Sequence, residues 1–537
     1  MAQNRNPWPV LLVTVLGFFM IMLDTTIVYV ATPSILSSLH ASLDQVLWVF
    51  NGYLLTYAVL LITAGRLGDL AGPRQLFALG LVVFTAASAL CGLSQDATQL
   101  IAARVIQGVG GAMIAPQTLT ILMAIFPAER RGAAFGITGA VIGVSTVAGP
   151  TIGGLIVTNW DWRWIFFLNV PVGILALFGT FAIIPDVRPG RRHRLDWIGV
   201  LLSSTALLAI VFALIEGQRY DWGTITGWIS IPLVLGIGAA FLVVFLLWQL
   251  RQAEPLVPLR LFRDRNFSLM NWTSLAMAFG MQAIFIPVTI YTQSVLGMTA
   301  LQSGLTVAPM SAAAAVLAPF AGRLADRFGG KYLLMAGLAI FGGGAAIVTA
   351  IATASSTQST FFLPFILTGV GLGLVMAPMN TLAMRDIAPA MAGAASGVLN
   401  TMRQLGSVIG AAVAGAVLQN RLAVSLHDQA VATASQLPAP YQSRFIDGFT
   451  QAAKSGLQVG RGQNGASLPA GLPSQVAARV GQLIHDVFVN GYILAMRPTV
   501  AVAVAVLAVA SLSCLLIINR RSAATNVAPT ASEIAVA

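Results

Sequence analysis

The chain has 537 residues, of which 57% are hydrophobic and only 9% are charged, and its formal net charge is +11. Soluble globular proteins carry about 25% charged residues, so this composition excludes a soluble domain and indicates a protein embedded in lipid. The basic residues lie in short stretches between apolar segments, which is typical of membrane topology rather than of nucleic-acid binding.

Apolar segments of about 20 residues recur along the whole chain, as in a polytopic helical membrane protein. We predict fourteen spans, centred near residues 22, 56, 84, 112, 145, 174, 206, 238, 280, 311, 341, 373, 405 and 505. Of the 29 Lys and Arg, 19 fall on the side of the N-terminus and 7 on the other side, so both termini are predicted to be cytoplasmic. Arg outnumbers Lys 27 to 2, which favours a bacterial protein of the cytoplasmic membrane.

The first span contains one carboxylate, Asp24, inside the apolar run Leu23–Pro33. It is the only acidic residue that we place deep within the membrane. A charged Asp near the bilayer centre costs about 2.5–3.5 kcal/mol, so such an acid usually faces a partner or a cavity on a transport pathway. We therefore interpret Asp24 as a functional residue.

Short motifs repeat between the two halves of the chain. Gly65–Asp69 recurs as Gly322–Asp326 at an offset of 257 residues, and Gly132–Gly136 recurs as Gly393–Gly397 at an offset of 261. Each pair has the same predicted sidedness, which is typical of parallel repeats in secondary transporters, where the substrate site lies between the halves. The offset covers eight spans, so we predict an all-α fold of two six-helix bundles and an inserted hairpin near residues 206 and 238.

These repeats set the predicted domain boundaries. We expect an N-terminal bundle over 1–185, an inserted helix pair with linkers over 186–265, a C-terminal bundle over 266–520 and a disordered cytoplasmic tail over 521–537. A long external segment, 419–487, interrupts the second bundle. Its part through Lys454 could form an amphipathic helix, and the part after Gly456 is interpreted as a loop, either a mobile surface loop or a lid or docking element.

The motifs of the chain resemble those of the major facilitator superfamily, and within it the fourteen-helix drug:proton antiporters that include EmrB-like efflux pumps. Leu23–Pro33 resembles the helix 1 signature of that branch, and Arg104–Gly111 is similar to the helix 4 motif whose arginine is implicated in proton transfer. The resemblance implies proton coupling at Asp24 and Arg104. Because a buried Arg stays charged at any ordinary pH, Arg104 could hold the Asp24 carboxylate ionised.

Two further motifs are expected to govern conformational change. Gly65–Arg74 resembles the family's loop between helices 2 and 3, and Gly143–Gly154 looks like the helix 5 motif that efflux members carry. Asp69 is an acid on the basic side, and it could cap a neighbouring helix and latch the cytoplasmic side shut. The predicted gating residues are Gly65, Asp69, Gly72, Arg74, Gly149, Pro150, Gly153, Gly154, Gly322 and Asp326.

The substrate cavity is predicted from polar and adaptable apolar side chains that share helix faces within the spans. Such polar groups could equally serve only to hydrogen-bond neighbouring helices. The predicted cavity residues are Trp48, Asn51, Gln107, Asn271, Ser274, Met281, Gln282, Phe285, Asn400 and Arg403.

The energy source is expected to be an ion gradient. A phosphate-binding loop needs a Gly-Lys-Ser or Gly-Lys-Thr sequence, and neither of the two lysines, Lys331 and Lys454, fits it. The four histidines fall in predicted loops with no nucleophile or metal partner, so we predict neither an enzyme nor a cofactor.

The predicted function is proton-coupled export of small lipophilic compounds, cationic or neutral, across the bilayer. Nucleotides and nucleic acid are not expected as partners. Two alternatives stay open at this point. One is a proton-coupled importer or lipid transporter of the same fold, and the other is a non-transporting membrane receptor that uses the segment 419–487.

Overall fold

The computed structural model describes residues 6–39, 43–127, 130–186, 195–217, 219–388, 391–437, 439–454 and 474–518. Strands β1 (Thr224–Thr226) and β2 (Ile229–Ser230) form one antiparallel hairpin between two helices. The α-helices are α1 (Trp8–Ser38), α2 (Leu43–Ala71), α3 (Pro73–Leu93), α4 (Ala97–Ile125), α5 (Arg131–Asn159), α6 (Trp164–Phe167), α7 (Asn169–Ile183), α8 (Trp197–Glu216), α9 (Ile231–Arg251), α10 (Arg265–Ile290), α11 (Ala300–Phe328), α12 (Lys331–Ile351), α13 (Phe362–Met384), α14 (Ala392–Ala434), α15 (Ala439–Lys454) and α16 (Ser474–Ser513).

Within the described residues, 13 helical segments are long and apolar enough to cross a membrane. The short helix α6 and helix α7 together form one of them, Trp164–Ile183. The predicted span near residue 145 coincides with α5, a continuous helix of 29 residues. Every predicted span centre therefore falls on a helix.

The same pattern of helix packing occurs twice. In the first half α2 packs on α4, α3 on α4 and α7, and α1 on α5 and α7. In the second half α11 packs on α13, α12 on α13 and α16, and α10 on α14 and α16. These are the equivalent pairs under the sequence repeat. The predicted fold class, two six-helix bundles related by a repeat, is thereby confirmed, whereas the exact domain boundaries stay a prediction.

The two bundles meet along two helix pairs, α2 with α14 and α5 with α11. Glycines make these contacts close, because a Cβ built on Gly65 would overlap the carbonyl group of Gly393, and one on Gly322 would overlap that of Gly132. Gly65 and Gly322 are equivalent in the repeat, and so are Gly132 and Gly393. The contact is thus reciprocal, as expected for a pseudo-twofold interface.

Helix α8 of the inserted pair packs on α2 and α14 where these two helices meet, and α9 packs on α8. Trp48 of α2 lies 6.1 Å from the Phe212 ring of α8. Asp196 holds the predicted cytoplasmic end of the pair, since it caps Gly199 at 2.9 Å and accepts hydrogen bonds from Trp248 (3.0 Å) and Gln249 (2.8 Å) of α9. The sequence predicted the hairpin but not its place at one seam between the halves.

The segment 419–487 is largely helical where it is described. Helix α14 has 43 residues, about 65 Å at 1.5 Å per residue, which exceeds the thickness of a bilayer. Helix α15 follows with Phe445 and Phe449 buried, as an amphipathic helix should place them, and α16 begins as early as Ser474. The predicted loop is therefore shorter than expected. Its residues 455–473, like the tail 519–537, lie outside the described residues.

Candidate functional site

Asp24 lies inside the first bundle, in the middle of α1, and is fully buried. Its Oδ2 is 2.5 Å from Nη1 of Arg104 on α4, and Arg104 is also buried. The structure therefore brings together the two residues predicted to couple protons. A buried pair of opposite charges needs further hydrogen bonds to offset its desolvation, and the surrounding side chains provide them.

Two amides complete the surroundings of the carboxylate. Gln107 donates to Asp24 Oδ1 at 2.9 Å and accepts from Arg104 Nη1 at 2.7 Å, so it bridges both members of the ion pair. Asn169 donates to the same Oδ1 at 3.2 Å. Among the described residues, every hydrogen-bond partner of the carboxylate is thus a donor, which suits the ionised form of Asp24, an acceptor only. Gln107 is buried in this cluster and does not lie on an open cavity wall.

Local structure explains how these groups converge. Arg104 and Gln107 are three residues apart and share one face of α4. Asn169 is the first residue of α7, immediately after Leu168 interrupts the helical segment. Ser88 of α3 fixes Asn169, because its Oγ accepts from Asn169 Nδ2 at 3.0 Å and donates to the Phe166 carbonyl at 2.9 Å. Four helices, α1, α3, α4 and α7, therefore meet around one acid.

Aromatic rings cover the cation. The Arg104 guanidinium lies 4.3 Å from the centroid of the Tyr53 ring, within the range of a cation–π contact. Tyr53 stacks on Tyr57 one turn further along α2, with ring centroids 6.0 Å apart and an interplanar angle of 10°. Both hydroxyl groups are buried; among the described residues the Tyr53 hydroxyl has no hydrogen-bond partner, whereas the Tyr57 hydroxyl lies close enough to Arg403 of α14 to interact with it. The stack leads from the acid cluster toward α14 of the second bundle.

Helix α5 packs directly on the part of α1 that carries Asp24. Thr26 donates to the Ser145 carbonyl at 3.3 Å, and a Cβ on Gly149 would lie 2.7 Å from Thr26 Cβ. Gly149 thus permits a close approach that any other residue would disturb. Around a Cβ on Gly154 there would be open space. Pro150 and Gly153 continue the helix, and the side chain of Pro150 lies outside the described residues.

The helix cap expected of Asp69 is present at the end of α2, whereas its role as a latch stays a prediction. Asp69, which is buried, accepts hydrogen bonds from the backbone amides of Gly393 (2.8 Å) and Ala394 (2.9 Å) in the first turn of α14. A carboxylate at a helix N-terminus is stabilised by the unpaired amides and the helix dipole. Ser396 adds a hydrogen bond to the Pro116 carbonyl at 2.9 Å. An acid of the first half therefore caps a helix of the second.

The remaining gating residues have different surroundings. Gly72 adopts a φ of 98°, which favours glycine, and lets the chain turn directly into α3. Arg74 donates to the Phe181 carbonyl of α7 at 2.7 Å, so its contact lies within the first bundle rather than across the interface. Asp326 lies in α11, but its side chain is outside the described residues.

The predicted cavity residues of α10 fall into two groups. Asn271 and Ser274 are buried, and within the described part of the chain Asn271 Oδ1 and Ser274 Oγ have no hydrogen-bond partner. Met281, Gln282 and Phe285 are half-buried. Phe285 lines an apolar crevice within the second bundle together with residues of α11, α12 and α13. Their role in substrate binding stays a prediction.

The other four predicted cavity residues belong to the two helices that meet at one seam between the bundles. They are Trp48 and Asn51 on α2 and Asn400 and Arg403 on α14. Trp48 is half-buried and turned toward α8. Asn400 is buried and accepts a hydrogen bond from Arg403 Nη2 at 2.8 Å. Arg403 itself is half-buried, 5.8 Å from the Phe18 ring. Among the described residues it contacts no carboxylate.

The sequence matches the Major Facilitator Superfamily over residues 14–411. The chain belongs to the Major Facilitator Superfamily. Members of this superfamily are transporters, so the acid cluster and the Asp69 cap of this facilitator are parts of a transport protein.

Two relatives and one solved structure extend this assignment. The tetracenomycin C resistance and export protein of Streptomyces glaucescens is 36% identical over 94% of this chain and 91% of its own length. The multidrug resistance protein Stp of Mycobacterium tuberculosis is 35% identical over 79% of this chain and 78% of its own. The structure of the proton:xylose symporter XylE has a TM-score of 0.55 at 13% identity over 75% of this chain and 87% of that one, a likeness of fold alone.

Sequence reasoning did not single out several residues of this facilitator's acid cluster. Asn169 and Ser88 are neutral residues far from Asp24 in sequence, and no charge pattern points to them. The hydropathy pattern gave no reason to choose Tyr53 over other aromatic residues. The one local signal in the sequence is that Asn169 is a polar residue within an apolar span, two residues before Pro171.

Proposed function

We propose that this facilitator exports small lipophilic compounds from the cell in exchange for protons, with Asp24 as the proton-carrying group. The observation that carries the proposal is the buried Asp24–Arg104 pair, in which donors on two neighbouring helices, α4 and α7, hold an acid of α1 within the apolar span. The two relatives, named for antibiotic export and multidrug resistance, support export of small compounds.

Proton exchange at this site requires a rearrangement. Protonation converts Asp24 from an acceptor into a donor on one oxygen, which then repels the donors that now face it. Arg104 stays charged and must find other acceptors, and Gln107 Oε1 and the Val49 carbonyl (3.1 Å) already contact it. Protonation would thereby loosen α1 from α4 and α7. This loosening would couple the binding of a proton to a change of helix packing.

The conformation itself suits alternating access. The bundles are closed together at the ends of α2, α5, α11 and α14 that we predict to be cytoplasmic, with both termini on that side. Asp69 caps α14 there, and the symmetric position of Asp326 predicts the same role at α5. Release of these contacts would open the path to the cytoplasm, where cargo enters.

A proton gradient supplies enough free energy. One charge that crosses about 100 mV releases about 2.3 kcal/mol, which sustains roughly a fiftyfold gradient of a neutral compound. Cationic or neutral cargo was expected from the sequence. Because Asp24 is buried and paired with Arg104, it offers no free carboxylate to a cationic cargo here, and we therefore disfavour cationic cargo.

The proposal is tested with the double variant Asp24→Asn, Arg104→Gln. Asp24→Asn alone would strand a buried guanidinium at a cost of about 3–5 kcal/mol, so the double change separates loss of coupling from loss of folding. We expect everted vesicles with an imposed pH gradient to accumulate the neutral dye N-phenyl-1-naphthylamine with the unmodified protein only. Passive exchange of the dye should persist in the variant.

Glu216 provides the matched control. It is a second buried acid beside an arginine, Arg219, at 3.3 Å, but it lies at the end of the inserted helix α8. Glu216→Gln should leave pH-driven accumulation intact. Undiminished accumulation by the double variant would sink the assignment of Asp24, and dye movement in the opposite direction would favour the importer.

A further inference from the structure

The two arginines that lie within the spans near the centre of the molecule are compensated very differently. Arg104 has a carboxylate, an amide oxygen, a backbone carbonyl and a ring face around it. Among the described residues, Arg403 donates one hydrogen bond of good geometry, from Nη2 to Asn400 Oδ1, and interacts with the Tyr57 hydroxyl. A guanidinium has five donors and is always charged, so among the described residues most of the donors of Arg403 are unassigned.

A second observation points to the same place. The Tyr57 hydroxyl is buried, and although its oxygen can accept from Arg403, its proton has no acceptor among the described residues, whereas a buried tyrosine hydroxyl usually finds one. The Arg403 guanidinium is near enough to this ring to interact with it electrostatically. Tyr57 belongs to the first bundle and Arg403 to the second. The Tyr57 hydroxyl proton and most of the guanidinium protons of Arg403 therefore lie close together, and among the described residues these protons have no acceptor.

These donors lie at the interface between the bundles, where cargo would bind. The glycine contact between α2 and α14 ends at Gly397, where a Cβ would lie 2.9 Å from the Leu61 carbonyl oxygen. Arg403 is six residues further along α14, which is about 9 Å above that seal. Beyond Arg403, α14 packs on α10 instead, because a Cβ on Gly406 would overlap the backbone of Leu275. Arg403 thus lies between the seal and the α10 contact, with the Phe18 ring beside it.

We propose that Arg403, Asn400 and Tyr57 form a binding site for an acceptor oxygen, a carbonyl, phenolate or carboxylate, on an aromatic lipophilic compound. The oxygen would accept from the guanidinium and the tyrosine hydroxyl, while the aromatic body lies against Phe18 and Tyr57. The proposal rests on the export function and gives it a cargo class. A permanent cation would meet repulsion from Arg403 instead.

Four naphthalenes that share a ring system and differ in one substituent test the site. They are 2-naphthoate, 2-acetylnaphthalene, 2-ethylnaphthalene and (2-naphthylmethyl)trimethylammonium. Their binding to the full-length protein in lipid nanodiscs is measured at equilibrium by naphthalene fluorescence, with no ion gradient. We expect the two acceptors to bind more tightly than the ethyl compound, and the cation to bind most weakly.

The variants identify which side chains bind the oxygen. Arg403→Gln should raise the Kd of 2-naphthoate roughly tenfold to a hundredfold, the loss of a charge-assisted hydrogen bond, and leave 2-ethylnaphthalene unchanged. Tyr57→Phe keeps the ring and should raise that Kd by roughly fivefold. Arg497→Gln is the matched control, because Arg497 is an exposed arginine on α16 outside this site. Arg497→Gln should leave the Kd of all four compounds unchanged.

Equal binding of 2-naphthoate and 2-ethylnaphthalene, including no binding of either, would overturn the proposal. So would an unchanged Kd for 2-naphthoate in Arg403→Gln. If Arg403→Gln fails to fold, Arg403→Lys and Tyr57→Phe provide the same comparison. Because lysine keeps the charge, Arg403→Lys should raise the Kd of 2-naphthoate by less than a neutral residue would. Because no gradient is used, a normal binding pattern without proton-driven transport would refute only the exchange mechanism.

Discussion

The Asp69 cap at the first turn of α14 allows a sharp prediction about the closed conformation. Asp69→Asn keeps one acceptor oxygen and loses the charge, so one of the two amides of Gly393 and Ala394 is left without its partner. A hydrogen bond to a charged group contributes about 1.5–3 kcal/mol, and the helix dipole adds about 0.3–1 kcal/mol. We expect the closed conformation to lose at least about 2 kcal/mol, about thirtyfold in its ratio to the open one.

Double electron–electron resonance measures this ratio directly. Nitroxide labels at Gln75 and Phe328, both exposed and on opposite bundles, report the separation of the closed ends. The native cysteines, Cys91 and Cys514, are buried and should not react. Asp69→Asn should shift the distance distribution toward longer values in the absence of cargo and gradient.

Asp96→Asn is the control for capping in general. Asp96 caps its own helix α4 by accepting from the Gln99 amide at 2.9 Å, and it makes no contact between the bundles. Loss of the Asp96 cap should leave the spin-label distance distribution unchanged. An unchanged distribution in Asp69→Asn, or an equal shift in Asp96→Asn, would refute the assignment of Asp69 as a latch.

Three further predictions concern the packing around the acid and the seal. Gly149→Ala should impair transport and lower thermal stability by about 1–3 kcal/mol, because its Cβ would collide with Thr26, whereas Gly154→Ala has open space and should be neutral in a melting assay. Gly322→Ala should push α11 away from Gly132 and lengthen the same spin-label distance, and Gly343→Ala, which meets no atom, should not. Asn169→Ala removes one donor from Asp24 and should shift the pH profile of transport relative to the unmodified protein, while Asn159→Ala at the exposed end of α5 should leave it unchanged.

Much of the fold was predictable because the chain repeats itself. The recurrence of Gly65–Asp69 and Gly132–Gly136 in the second half implied two equivalent bundles, and the reciprocal glycine contacts of the structure follow that symmetry. Helical periodicity gives the face of a residue but not the helix that the face meets. For that reason Trp48 was placed on a cavity wall, and its contact with Phe212 of the inserted hairpin was not foreseen.

The acid cluster shows the same limit at the level of the site. Charge made Asp24 and Arg104 conspicuous, because few residue types balance a buried carboxylate. Asn169 and Gln107 act through neutral amides, which occur throughout membrane helices and carry no comparable signal. The segment 419–487 was underestimated as helix because its polar composition resembles that of a loop. Pairing of α14 with α16 and α15 beyond the apolar stretch accounts for its helical form.

The exchange of protons for cargo is tested most directly by proton flux across the membrane of proteoliposomes. A pH-sensitive dye is sealed inside liposomes that contain the purified protein, a pH gradient is imposed, and N-phenyl-1-naphthylamine is added. We expect the gradient to dissipate only when the dye compound is present, with protons and the compound moving in opposite directions. The Asp24→Asn, Arg104→Gln variant should show no such flux. Compound movement that leaves the gradient intact, or that runs in the same direction as the protons, would contradict proton-coupled export.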